Sequence, residues 1–89
     1  MGKHPIVFTN KFKRKFKNLS QIDQQRVLDT ITALSEDPFY PSLRCKKLKG
    51  KIKDFECRVN SDIRIIWRYK DGTFIVIVDV GHHDVLNKY

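Results

Sequence analysis

Apolar residues recur along this chain with two periods, one helical and one extended. Ile6, Val7 and Phe8, within Pro5–Thr9, read as a short opening strand. Phe12, Phe16 and Leu19 follow at i, i+4 and i+7, one stripe of a helix that Thr9 or Asn10 can cap. Ser20 and Asp23 have the spacing of a capping box, with Asp where Glu is usual, and open a second helix to about Glu36. Ile22, Val27, Leu28, Ile31 and Leu34 are its expected buried face. Asp37-Pro38 ends it, because the residue before a proline avoids helical backbone. The tight joint near Ser20 predicts an antiparallel helical hairpin.

Phe39 to Gly50 reads as a lysine-rich loop closing in Lys47-Leu48-Lys49-Gly50. Beyond it the period becomes two. In Asp54–Val59, Phe55, Cys57 and Val59 alternate with Glu56 and Arg58. Asn60-Ser61-Asp62 turns the chain. In Ile63–Tyr69, Ile63, Ile65, Trp67 and Tyr69 take one face, and Arg64, Ile66 and Arg68 the other. Lys70-Asp71-Gly72 signals a hairpin. Phe74–Val80 is apolar on both faces and predicts a central strand, which Gly81 is expected to break. The order is βααβββ. The expected fold is α+β, a small antiparallel-rich sheet with the two-helix hairpin on one face, over the single domain 1–89. The face opposite the helices, with Glu56, Arg58, Arg64 and Arg68, is a candidate open groove.

Charge adds the class of partner. Lys and Arg number 18 against 10 Asp and Glu, a net charge of +8. A polyanion is the expected partner (nucleic acid, an acidic protein or an anionic membrane surface), and a merely solvated surface is the plain alternative. Neither an apolar run long enough to span a membrane nor a secretory signal is visible, so a cytoplasmic location with Cys45 and Cys57 reduced is expected. The cysteines do not form a CxxC pair, and neither a metal site nor a cofactor is expected.

Within the groove, Arg58 and Arg64 lie on successive strands. Like charges that close repel, so an anion between them is one explanation and pairing with Glu56 and Asp62 is the other. His82 and His83 leave the last strand on opposite sides, so at most one faces the groove. Histidine titrates near neutrality and can move protons. RNA cleavage needs no cofactor, since the 2′-OH is a tethered nucleophile. Arg58, Arg64 and neighbouring lysines can supply positive charge. His83, Glu56 or Tyr89 can move protons.

With Lys47-Leu48-Lys49-Gly50, Ile63-Arg64-Ile65-Ile66-Trp67 and Val80-Gly81-His82-His83-Asp84-Val85, the chain resembles the RelE/ParE superfamily of bacterial toxin–antitoxin toxins over essentially its whole length. The resemblance implies a ribosome-dependent, metal-independent mRNA endonuclease held inactive by a cognate antitoxin, with ribosome and mRNA as further partners. It implies catalytic roles for Arg58, Arg64, His83 and Tyr89, and Glu56 joins these as a catalytic candidate from its own place in the groove. Lys47, Lys49, Lys51, Lys53, Arg68 and His82 are the expected RNA-binding residues. Two positions depart from the RelE branch: Glu56 replaces a second basic residue and His83 an arginine. A ParE-type DNA gyrase inhibitor and a non-catalytic RNA- or ribosome-binding module are the alternatives.

Overall fold

The computed structural model describes residues 4–48, 53–82 and 84–85. In chain order the elements are β1 (Ile6–Phe8), α1 (Asn10–Phe16), α2 (Gln21–Glu36), a 3₁₀ turn (Pro41–Leu43), β2 (Lys46–Lys47), β3 (Phe55–Arg58), β4 (Ile63–Lys70) and β5 (Phe74–His82). The strands form one sheet in the order β1-β5-β4-β3-β2. Only the β1–β5 pair is parallel.

Thr9 ends β1 and starts α1. Its Oγ1 accepts from Phe12 N at 3.1 Å, satisfying a helical donor that would otherwise be orphaned. The same hydroxyl donates to the Val78 carbonyl at 2.7 Å and so fastens the helix start to β5. Val78 needs such a partner because the β4–β5 register shifts there. Ile66 stands opposite Asp79 and Trp67 opposite Ile77, which leaves Val78 as the extra residue of a bulge. Ser20 Oγ accepts from Asp23 N and caps α2 as expected.

The helices and one sheet face enclose a single core. Phe12, Val27, Ile31 and Leu34 meet Cys57, Ile63, Ile65, Trp67, Ile75, Ile77 and Val80. Two residues expected in that core stay outside it: Ile22 and Leu28 are exposed. At about 100° per residue, Val27, Ile31 and Leu34 fall within a narrow stripe, whereas Leu28 lies about 100° and Ile22 about 140° from Val27.

Two further expectations change. The segment from Phe39 to Gly50 holds the 3₁₀ turn and β2, so a fifth strand joins the βααβββ order. Gly81 does not break the last strand. It pairs with Arg64, and β5 continues to His82 opposite Ile63. Gly81 serves close approach, since a Cβ there would lie 3.1 Å from Val85 Cβ. Gly81→Ala should therefore lower stability by about 1–2 kcal/mol, the usual cost of overpacking. Thermal unfolding measures it, and an unchanged midpoint would show that Val85 moves aside freely.

Beside the bulge, Asp79 is fully buried. Lys15 Nζ lies 2.8 Å from its Oδ1, and Val80 N donates to the same oxygen at 2.8 Å. At least one lysine of the basic first helix therefore neutralises the interior. No described helix is long and apolar enough to cross a membrane.

Candidate nucleic-acid interface

The β3–β4 hairpin places Arg58 directly opposite Arg64. The next pair toward the middle of the hairpin on the same face is Glu56 opposite Ile66, and both are buried. On the other side of β3, Lys46 stands opposite Glu56. Arg44 lies two residues before Lys46, where the 3₁₀ turn ends. Arg44, Lys46, Glu56, Arg58 and Arg64 together line a cavity of about 240 Å³, several times the roughly 30 Å³ of a water. Four cations thus surround one carboxylate.

The walls differ in what holds them. Arg64 is folded against the β3–β4 turn. Its Nη1 donates to the carbonyls of Asn60 at 2.8 Å and Ile63 at 3.2 Å, and its Nη2 to that of Ser61 at 3.3 Å. The turn is itself fixed, because Asn60 Oδ1 accepts from Asp62 N and Ile63 N. Glu56 is held by Lys46, whose Nζ lies 3.1 Å from Oε1. Glu56 Oε2 is buried and accepts no hydrogen bond among the described residues. An unsatisfied buried acceptor costs about 1–3 kcal/mol, so this oxygen is short of a donor. Arg44 has φ 49° and ψ 42°, the left-handed region, which costs an L-residue about 1–2 kcal/mol.

The structure separates several expected RNA-binding residues from this cavity. Arg68 is engaged by the buried Asp54: Nε lies 2.8 Å from Oδ1, and Nη2 donates to Oδ2 at 3.2 Å. A buried carboxylate needs that partner, so the arginine is structural. Lys47 stands opposite Phe55, on the face that carries the core. Lys53 is exposed before Asp54 and does not line the cavity. His82 pairs with Ile63 and bonds Asp62 through Nδ1; it borders a separate cleft with Lys15 and Leu19. Lys49, Lys51, His83 and Tyr89 lie outside the described residues.

Arg44 and Lys46 were not among the residues expected from sequence. Neither carries a periodic signal, because β2 is only two residues long and Arg44 precedes it in the left-handed region. Cys45 and Cys57 are free thiols on the core side of the same strands. The hydrogen bond Cys57 gives to Cys45, and after it burial, push the Cys57 thiol well above its ordinary range. No group of three or more His, Cys, Asp or Glu among the described residues is placed to hold a metal ion.

Two helices on one face of a five-stranded, mostly antiparallel sheet, with a cationic cavity on the other, define a RelE-like toxin fold. A chain of the RelBE2 toxin–antitoxin complex from Mycobacterium tuberculosis superposes with TM-score 0.77 at 24% identity, over 93% of this chain and 94% of that one. A chain of the archaeal RelE–RelB complex from Pyrococcus horikoshii gives 0.76 at 17% identity, over 90% and 94%. The YoeB/ParE toxin from Agrobacterium tumefaciens gives 0.75 at 17% identity, over 89% and 98%. No curated protein matches in sequence. The chain belongs to the YafQ family of bacterial toxins of type II toxin–antitoxin systems, which matches residues 4–88.

Proposed function

We propose that this toxin is an mRNA endonuclease that acts on the ribosome and cleaves by attack of the ribose 2′-OH on the adjacent phosphorus. The observation that carries the reading is the Arg58–Arg64 pair, set side by side next to Glu56. Two guanidiniums that close repel each other, and a phosphodiester between them relieves the repulsion. The bound phosphate gains negative charge as the 2′-oxygen adds, and preorganised donors stabilise that charge most. Glu56 Oε2, without a hydrogen bond among the described residues, accepts the 2′-OH proton. His83 and Tyr89, which the family resemblance adds, deliver the proton to the departing 5′-oxygen. The products are a 2′,3′-cyclic phosphate and a free 5′-OH.

Primer extension on mRNA after induction tests the reading, with wild type beside Arg64→Ala. New 3′ ends in the wild type alone are the expected result. A DNA-damage response without new ends would select gyrase as the target, and ribosome binding without new ends a non-catalytic module.

The proposal includes a cognate antitoxin. The solved relatives include RelB–RelE complexes, and both edge strands here, β1 and β2, offer backbone groups to an added chain. The cationic cavity favours an acidic or amphipathic segment. The product of an adjacent short reading frame should co-purify with the toxin and restore growth. Failure of such a product to bind would remove this part of the proposal.

A further inference from the structure

We propose that Arg44 is a phosphate-binding residue of the groove, kept in a left-handed backbone conformation because only there does its guanidinium reach the substrate. The proposal rests on the reading of the groove as an RNA-cleaving site.

Arg44 ends the 3₁₀ turn Pro41–Leu43, and its N–H donates to the Pro41 carbonyl at 3.1 Å. That position after a helical turn is usually glycine or asparagine, which adopt φ near +50° at little cost. An arginine there carries backbone strain that glycine or asparagine would relieve. Strain of this kind persists where a side chain is needed. The Arg44 guanidinium makes no hydrogen bond or ion pair among the described residues, so no structural contact accounts for it. What it does is line the cavity with Lys46, Glu56, Arg58 and Arg64.

The surrounding groups explain why a fourth cation is useful. Lys46 is committed to Glu56, and Arg64 donates to three turn carbonyls. Arg58 and Arg44 make no hydrogen bond or ion pair among the described residues, and both line the cavity. A phosphodiester held between them contacts Arg58 through one non-bridging oxygen and Arg44 through the other. A neighbouring phosphate of the same strand is the second anion that Arg44 can reach, and both cases share one chemistry, a phosphate oxyanion on a guanidinium.

The experiment compares wild type, Arg44→Asn, Arg44→Lys and Arg64→Ala. It measures thermal unfolding, mRNA cleavage on programmed ribosomes, and binding of a mixed-sequence 2′-O-methyl oligonucleotide, which 2′-OH attack cannot cleave. Arg44→Asn should melt about 2–4 °C higher, since asparagine tolerates the left-handed region. It should cleave at least tenfold more slowly. Its binding should lose about 0.7 from the slope of log affinity against log salt, the signature of one phosphate contact to a single strand. Arg44→Lys should recover the slope but only part of the rate, because it keeps the charge and loses the fork. Arg44→Asn with wild-type cleavage, with an unchanged salt slope, or with a lower melting temperature overturns the proposal. If Arg64→Ala cleaves like wild type, the RNA-cleaving reading itself fails. If Arg64→Ala is inactive and Arg44→Asn is not, only the role of Arg44 fails.

Discussion

Arg64→Ala is expected to slow RNA cleavage by about 10²–10³-fold, the loss seen when one preorganised donor to a developing oxyanion is removed. The size follows from how Arg64 is held. Of the five N–H donors of a guanidinium, three bonds go to turn carbonyls, leaving Nε–H and one Nη2–H. A group already fixed in place loses little freedom on meeting the phosphate, and its interaction strengthens as the phosphate gains charge in the transition state. The turn bonds are partly exposed and their loss costs about 1 kcal/mol, too little to unfold the domain. Circular dichroism should therefore show a folded variant. A folded Arg64→Ala protein that cuts the same sites at the wild-type rate would sink the assignment.

Trp67→Ala should have the largest effect on stability. Trp67 is fully buried; its ring stacks on Phe55 at 4.6 Å and meets Tyr69 edge-on at 5.2 Å and Phe39 at 6.3 Å. Removing a buried tryptophan costs about 3–5 kcal/mol, against a total of roughly 5–15 kcal/mol for an ordinary domain. A chain of 89 residues sits at the low end of that range, so the variant should be largely unfolded near 37 °C. Urea unfolding by circular dichroism measures the loss. A cost under about 1 kcal/mol would show that Phe39 collapses into the space.

Legibility in the sequence followed the amount of periodicity each segment offered. Trp67 and its neighbours on β4 were readable because Ile63, Ile65, Trp67 and Tyr69 recur at every second residue across an eight-residue strand. The helical stripe was readable through Phe12, Val27, Ile31 and Leu34. Ile22 and Leu28 were apolar but off its axis, and composition outweighed angle in the expectation. A two-residue strand such as β2 has no period to read, so Lys46 stayed in a loop and the cavity lost one wall. Arg44 was hidden for a different reason. A left-handed backbone at a residue other than glycine leaves no mark in sequence. Arg68 looked like its neighbour Arg64 by alternation, and only a long-range fact, the burial of Asp54, separates their roles. Gly81 was read as punctuation, whereas the packing of Val85 explains it.

The parallel pairing of β1 with β5 also orders events in time. Thr9 and Val78, bonded to each other, are 69 positions apart, whereas β4 and β5 are joined by a tight turn. The hairpin can zip up locally, but the β1 contact must close most of the chain into a loop, a slow step for its entropy cost. During synthesis β1 and the start of α1 have no partner until the segment around Ile77 has emerged from the ribosome. The enclosed core, and with it a rigid β3–β4 hairpin, is therefore a late product of translation. Until β5 has formed, β1 lacks its only paired strand among the described residues, and the helices lack much of the surface on which they pack.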